Sequence, residues 1–443
     1  MNKMLRTKLQ SIPSLFLVAN SISWFTLTMI TIMGLSGLTS FEKILTVSGS
    51  YFGALIFSAI IGATLIARKL KEKGFLSLWI LTGVVSCISF YFLEPQATLP
   101  TLCIISLMLG GSVGLGIPTC LSMFANQSKT HKLGRMGAVL FFVIQILTAV
   151  IFLSLEGTGT EYKFLILSIW RILALVSIIF LKKTENSDSE RKTSLIKILK
   201  DRTFILYFVP WFMFTLINFV QTPIVELHMG PEVYSNYVLA TIIISSFSAI
   251  GAGFLCDFKG RKIAGISGFI LLGVGYAFLS FLSNGPGNQF GLILFTVFDG
   301  LAWGFLYVNF IFVVWGDLSE RSNREKYYLL GGMPFLFSGL IQVLVQPFAQ
   351  FIPIGAAFSF ASFFLFLATL PLFFAPESLP DKIIKNRDLS NYVNKALKKV
   401  QRGTTTAKEE KAEKFPEKES KNKVEAVESS EDVEARKLAE KYY

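Results

Sequence analysis

Asp257 and Arg261 are an acid and a base near enough in the chain to form an ion pair, within the segment GFLCDFKGRK of residues 253–262. They lie at positions i and i+4, so the carboxylate can pair with the guanidinium or cap the N-terminus of a neighbouring helix. Gly260 permits a tight turn between two antiparallel helices. The pattern predicts a charged contact between helix ends. The alternative is a turn glycine among ordinary loop charges such as Lys262.

Asp299 is a second candidate, because it is the tenth residue of the apolar run 290–315. A carboxylate without a partner near the middle of a bilayer costs about 3 kcal/mol or more. Such an acid is expected to carry a proton or to bind a cationic group. The alternative is an acid that is kept protonated or is paired for structural reasons.

Polar and aromatic residues recur at helical spacing in three of the apolar runs. Lipid does not favour such stripes, so we predict that they face water or a bound solute. Hydrogen bonds between neighbouring helices are the alternative. The candidate cavity residues are Asn20, Trp24, Tyr207, Trp211, Thr215, Asn218, Asp299, Trp303, Tyr307 and, to one side of its stripe, Asn309.

The chain that must position these residues is too apolar for a soluble protein. Its 443 residues are 52% hydrophobic and 16% charged, whereas about 25% charged residues are usual. A helix that crosses a bilayer needs ~20 mostly apolar residues, and twelve runs meet this condition. They are residues 13–38, 44–66, 75–93, 100–124, 134–155 and 162–181, then 203–225, 233–255, 263–282, 290–315, 327–350 and 352–374. The sequence predicts an all-α integral membrane protein with twelve transmembrane helices.

Lysine and arginine are concentrated in alternate loops between these runs. Such residues stay on the cytoplasmic side of a membrane, so both termini are predicted to lie in the cytoplasm, with the protein in the cell membrane. The net charge of +12 is therefore a topology signal, and no nucleic-acid partner is predicted because the charges form no surface patch.

Four segments follow from this pattern. Residues 1–181 and 203–375 are the predicted six-helix bundles, residues 182–202 a cytoplasmic linker, and residues 376–443 a charged cytoplasmic tail. The tail has too few apolar residues to bury a core, so it is expected to be disordered or partly helical. Within the linker, the sequence TSLIKILKDR suits a short helix on the membrane surface, and a plain soluble linker is the alternative.

The pattern G-x-x-x-D-x-x-G-R-K closely resembles the signature loop of the major facilitator superfamily. The run LGGSVGLGIPTC is similar to that family's glycine-rich fourth helix, and the resemblance covers residues 10–375. It implies two six-helix bundles that move a small solute by alternating access around a central cavity, which the first helix of each three-helix repeat lines. It also implies a cytoplasmic conformational latch at Gly253, Asp257, Gly260, Arg261 and Lys262. The corresponding loop of the first half, GATLIARKLKEKG, lacks the aspartate and the central glycine, so a one-sided latch is expected.

Other classes of protein find less support. The chain has two histidines and no metal-ligand cluster, nucleophile motif or phosphate loop, so we predict no enzyme activity, no cofactor and no metal. Four cysteines without a CxxC pair are interpreted as small hydrophobic residues. Arg171, a second charge within an apolar run, is expected to pair within its own half or to reach the outer surface.

The resulting prediction is a monomeric secondary transporter for a small, neutral or weakly charged organic solute, with protons as the candidate coupling ion. A transporter-like receptor and a lipid flippase remain the alternatives.

Overall fold

The computed structural model describes residues 3–34, 40–66, 72–93, 98–128, 132–181, 193–282 and 288–379, and four further positions after residue 384. Within these ranges all regular structure is helical. Twelve of the helices are long and apolar enough to cross a membrane, and we number them α1–α12. They are Ile12–Met33, Phe41–Thr64, Lys73–Phe92, Leu99–Gln127, Leu133–Leu155, Tyr162–Phe180, Arg202–Met229, Pro231–Phe258, Arg261–Ser280, Gln289–Leu318, Arg324–Phe351 and Ile354–Phe374.

The predicted fold class is confirmed, and the helix ends agree with the apolar runs to within several residues. Where the helices run longer than predicted, polar residues extend them beyond the apolar core. Asp201, for example, accepts a hydrogen bond from the Thr203 amide (3.0 Å) and so starts α7 at Arg202. A side-chain cap of this kind satisfies a backbone donor that the first turn leaves free.

Several of the twelve helices are interrupted. In α4 a turn at Leu115 and Gly116 separates Leu99–Gly114 from Ile117–Gln127. In α10 a π-helix, Val308–Val313, follows the regular part. In α11 the regular helix Arg324–Leu336 gives way to Ser338–Val345 and a 3₁₀ turn. Local changes of this kind re-aim side chains within a helix that must still satisfy its backbone groups in lipid.

The α1–α6 set is called the N half and the α7–α12 set the C half. Both lie in one compact unit, Met1–Pro380. Since the helices alternate in direction, the turns at Gly230 and at Pro353 share one end of the bundle, and the turn at Lys259 lies at the other. We call these the cavity end and the charged end.

The predicted linker and tail are described only in part. A short helix, Leu195–Leu199, begins after Ser194, whose hydroxyl accepts a hydrogen bond from the Lys197 amide (3.2 Å). Its Ile198 is buried, and its Ile196 is exposed. Residues 182–192 of the linker and nearly all of the tail beyond Leu379 lie outside the described residues.

Candidate functional site

A cavity of about 490 Å³ lies between the two halves near the cavity end. Twenty residues line it, and fifteen of these belong to the C half. The N half contributes Met29, Ile30, Met33, Gln145 and Phe152, and the C half contributes Asn218, Phe219, Thr222, Val225, Glu226, Tyr234, Tyr237, Val238, Thr241, Ile242, Ser245, Tyr276, Asp299, Trp303 and Gln342. The polar and charged lining therefore comes almost entirely from one half.

Asp299 is the buried acid of this cavity, with 1% of its surface exposed. One carboxylate oxygen accepts a hydrogen bond from the Tyr237 hydroxyl (2.7 Å), and the other accepts one from Trp303 Nε1 (2.9 Å). Both donors are neutral, and no cationic side chain of the described residues pairs with Asp299. The carboxyl group is therefore held in a fixed orientation without a compensating charge.

Aromatic packing fixes the side chains around Asp299. The Tyr237 ring stacks on Phe295 with 5.5 Å between ring centroids, and Trp303 stacks on Tyr307 at 4.5 Å. Closer to the membrane surface, Glu226 is an exposed acid on α7. The cavity thus has an acid at its base and another near its mouth, separated by aromatic surface.

The sequence stripe on α7 crosses three different environments. Asn218 lines the cavity, as does its neighbour Thr222. Thr215 is buried and donates to the Phe212 carbonyl of its own helix, while Trp211 donates to the Gly331 carbonyl (2.8 Å) below the cavity. Tyr207 donates to the Pro376 carbonyl (2.8 Å) at the charged end. Tyr207, Trp211 and Thr215 are therefore not among the cavity-lining residues.

The stripe on α10 divides in the same way. Asp299 and Trp303 line the cavity, whereas Tyr307 lies beneath it, with its ring 5.3 Å from that of Phe335 and 5.7 Å from that of Phe141. Asn309 lies within the π-helix, fully buried, and its side-chain oxygen is 3.7 Å from the Cys256 sulfur. Tyr307 and Asn309 stabilise packing beneath the cavity and do not line it.

Asn20 and Trp24 face the interior of the N half, contrary to the sequence expectation. Arg171 of α6 is fully buried and donates to Asn20 Oδ1 (3.1 Å) and to the Ser21 hydroxyl (3.0 Å). Its guanidinium carbon lies 4.6 Å from the Trp24 ring centroid and 4.3 Å from that of Trp79. Cation–π contacts and hydrogen bonds therefore stabilise this charge within its own half, and they turn the polar face of α1 away from the cavity.

Below the cavity, an apolar layer joins the two halves. Phe25 of α1 meets Phe335 of α11 with 5.7 Å between ring centroids, and Phe124 of α4 meets Phe312 of α10 at 6.0 Å. A void of about 30 Å³ remains within this layer, lined by Leu121 among others. The layer separates the cavity from the charged end.

At the charged end, Asp257 joins the two halves. It accepts hydrogen bonds from the Gly134 amide (2.9 Å), the Arg135 amide (3.1 Å) and Arg135 Nε (2.9 Å), all in α5 of the N half. It also pairs with Arg261 (3.2 Å). Asp257 therefore caps the first turn of α5 and is an ion-pair partner in its own half, the two roles that the sequence suggested for it.

Gly253 allows the close approach that these bonds require. A Cβ atom at this position would lie 2.6 Å from the Ala138 side chain and 2.7 Å from the Gly134 carbonyl oxygen. Any larger residue would therefore push α8 away from α5. Four residues further on, Asp257 would then lose its reach to the first turn of α5.

Arg261 connects Asp257 to two further acids that the sequence did not single out. Its Nε donates to Asp317 at the end of α10 (2.7 Å), and its backbone amide donates to the Glu377 carboxylate (2.7 Å). The Lys262 amide also donates to Glu377 (3.3 Å), while Lys262 Nζ donates to the Phe373 carbonyl (2.6 Å). We call Arg135, Asp257, Arg261, Asp317 and Glu377 the charged cluster.

Gly260 makes room for Glu377. Its φ of +117° lies in the region that favours glycine, and a Cβ atom there would overlap the Glu377 carboxylate. Glu377 thereby reaches the amides at the start of α9, where a negative charge is stabilising.

Replacing Glu377 with alanine is expected to lower the thermal unfolding midpoint of the purified protein. The first turn of α9 would lose its acceptor, and removal of a cap typically costs about 0.5–2 kcal/mol. Glu377→Gln keeps one acceptor oxygen and should fall between the wild type and Glu377→Ala. The control is Glu320→Gln, an exposed acid at the same end. A Glu377→Ala midpoint equal to that of the control would contradict this role.

One face of α8 was missed by the sequence reasoning, although it carries a signal. Tyr234, Tyr237, Thr241 and Ser245 all line the cavity and follow at i, i+3, i+7 and i+11, which is one helical face. Ser245 also accepts a hydrogen bond from Gln145 of the N half (3.2 Å). The expectation that the first helix of each repeat lines the cavity does not include α8, which is the second helix of its repeat.

The described residues contain no group of three or more potential metal-binding side chains. A family model described as the Major Facilitator Superfamily matches residues 12–314, more than half of the chain. The chain belongs to this family, as the resemblance predicted. It is a multi-pass membrane protein and a secondary transporter, which is a carrier and not an enzyme.

Solved structures of two transporters share the fold. The proton:xylose symporter XylE bound to 6-bromo-6-deoxy-D-glucose aligns with a TM-score of 0.58 at 14% identity, covering 84% of this chain and 96% of that one. The human organic anion transporter MFSD10 (TETRAN) aligns with a TM-score of 0.60 at 13% identity, covering 84% and 100%. At such identities the likeness shows the fold alone. No curated protein matches the sequence.

Proposed function

We propose that this transporter moves a small organic solute across the cell membrane by alternating access, with proton coupling through Asp299. The observation that carries the proposal is the position of Asp299. It is a buried acid without a cationic partner among the described residues, and it faces a cavity between the two halves. A proton or a bound solute can supply the charge that the protein does not. The cavity is built from one chain, which supports a monomer as the transporting unit.

The orientation of the chain follows from its loop charges. Lys259, Arg261 and Lys262, together with Arg321 and Arg324, belong to loops and helix ends at the charged end. Basic residues stay on the cytoplasmic side, so we assign the charged end and both termini to the cytoplasm. The cavity end is then extracellular, and the structure is an outward-facing form.

The charged cluster serves as the cytoplasmic latch in this proposal. Asp257 binds atoms of both halves, so an inward-facing form must break its contacts with α5. Arg324 of α11 adds a second bond between the halves, to Asn126 Oδ1 of α4 (2.7 Å). These polar contacts can form and break without exposing large apolar surfaces, as a cyclic motion requires.

The test joins the halves at this end and measures transport. In a background without the four native cysteines, Asn126→Cys and Arg324→Cys are combined, and the purified protein is reconstituted in vesicles with a pH gradient. Labelled glucose, alanine, benzoate, uridine and choline are the probes. We expect saturable, gradient-driven uptake of at least one probe. A short, reducible cross-linker that reacts with thiols should abolish this uptake in the double-cysteine variant, and a reductant should restore it.

The single-cysteine variants are the controls, and the reagent should leave their uptake unchanged. Saturable binding without uptake would overturn the proposal in favour of a receptor. A flippase would replace the proposal if a fluorescent phospholipid moved between leaflets, if cross-linking stopped that movement, and if none of the five solutes were taken up.

A further inference from the structure

We propose that the cavity selects an organic cation, with an ammonium group bound at Asp299 and an apolar body lying against aromatic side chains. This inference rests on the proposed transport function and specifies its substrate class. The first observation is the charge of the lining. Asp299 and Glu226 are acids, and none of the twenty lining residues is lysine, arginine or histidine.

Asp299 has unused capacity to bind a positive group. A carboxylate can accept about four hydrogen bonds. Tyr237 and Trp303 donate to Asp299, and the Thr241 hydroxyl is a third neutral group beside it, so at least one position stays open. These donors hold the oxygens in place but leave the negative charge uncompensated. An ammonium group could donate to the remaining positions while supplying the missing charge.

The aromatic side chains next to Asp299 suit the rest of such a solute. Tyr237 and Trp303 each contact the carboxylate through a polar edge, so both rings lie next to the group that would bind the ammonium. Stacking on Phe295 and on Tyr307 keeps these rings from rotating freely. Aromatic faces carry negative charge density, and they attract ammonium groups that have been stripped of water.

Glu226 extends the negative field to the cavity mouth. It is exposed, and Tyr234 lies beside it in the lining. A separate pocket of about 140 Å³ adjoins this cavity through the shared residues Ile30 and Phe152, and Lys163 and Glu156 line it together. Those two charges are opposite in sign, so that pocket adds no net positive charge. A cleft lined by one sign of charge concentrates ions of the other sign.

The acid at the base would also couple the cation to protons. One carboxylate compensates one positive charge, so a proton and an ammonium group compete for Asp299. Binding of a proton to Asp299 would release the solute, so the transporter would exchange protons for the organic cation.

The experiment compares probes that differ in charge but not in shape. Binding to the purified full-length protein is measured for choline and its carbon isostere 3,3-dimethylbutan-1-ol, and for phenyltrimethylammonium and tert-butylbenzene. Benzenesulfonate is the anionic member. The permanent charge of the quaternary ammonium probes removes their own titration from the measurement. We expect each cation to bind at least ten times more tightly than its isostere, and benzenesulfonate not to bind.

Two pairs of variants localise the effect. Trp303→Leu should remove most of the preference for the cation, whereas Trp303→Phe, which retains an aromatic face, should keep most of it. Glu226→Gln should weaken cation binding about threefold at low ionic strength and less at high salt. Glu320→Gln, which removes an exposed acid at the charged end and far from the cavity, should have no effect.

Failure of this inference can be distinguished from failure of the proposed function. Equal binding of cation and isostere, preference for benzenesulfonate, or no binding of any probe would overturn the cationic substrate class. Gradient-driven uptake of glucose, benzoate or uridine that cross-linking abolishes would then show that the transport function still stands. Absence of uptake for every solute in the vesicle assay would overturn both.

Discussion

Asp299→Asn is expected to abolish proton-driven uptake while leaving the fold intact. Asparagine has the shape of aspartate, and its amide can donate to the Tyr237 hydroxyl while its oxygen accepts from Trp303 Nε1. What it cannot do is carry a negative charge or bind a proton. An uncompensated charge in mid-membrane costs about 3 kcal/mol, and a bound proton or cation relieves that cost. Loss of this contribution corresponds to roughly a hundredfold loss of affinity or rate.

The measurement is uptake by reconstituted vesicles with and without a pH gradient, using whichever probe the wild type transports. Glu226→Gln is the matched control, because it removes an acid from the same cavity at the exposed mouth. It should keep the response to the gradient. A gradient response of Asp299→Asn equal to that of the wild type would exclude Asp299 as the coupling residue.

The second large effect is expected for Asp257→Asn, which should shift the protein towards the form that is open at the charged end. Asp257 accepts bonds from the first turn of α5, from Arg135 and from Arg261, and its side chain is almost fully buried. Breaking a buried ion pair by removing one partner costs about 3–5 kcal/mol. The Arg261 pair lies within the C half, so only the bonds from Gly134 and Arg135 of α5 are lost from the closed form alone. A hydrogen bond to a charged group contributes about 1.5–3 kcal/mol, so the population of the closed form should fall by at least about tenfold relative to the open form.

Leu121→Cys reports the change, because Leu121 lies in the apolar layer and is 6% exposed in this structure. In a background without native cysteines, a membrane-impermeant thiol reagent added at the charged end should label it at least about ten times faster when Asp257→Asn is present. Glu320→Gln, an exposed acid at the same end, is the control. Equal labelling rates with and without Asp257→Asn would rule out a latch at this position.

The sequence was sufficient to predict the transmembrane helices, but it predicted only some of the residues that line the cavity. Twelve apolar runs specify twelve spans because the bilayer imposes one length on each. A stripe on one helical face does not specify which environment it faces at each depth. From Tyr207 to Thr222, α7 rises by about 22 Å. Its face therefore passes from the charged end through the apolar layer into the cavity.

Residues that lie far apart in the chain explain the remaining differences. Glu377 reaches the amide of Arg261, 116 positions earlier, and spacing along the chain gives no sign of that contact. Arg171 lies about 150 positions later in the chain, and its contacts with Asn20 and Trp24 orient these side chains towards the interior of the N half. Asp299 and Trp303 lie one helical turn apart on the same helix, so their neighbouring positions in the cavity lining follow from local spacing.

The uneven lining of the cavity affects how tightly the solute is bound during transport. Apart from Gln145, the wall supplied by α1 and α5 is apolar. A solute bound to the C half would keep its polar contacts with that half while the apolar wall of the N half moves past it. Its affinity would then be nearly the same on either side of the membrane, and the direction of net flow would be set by the gradients alone.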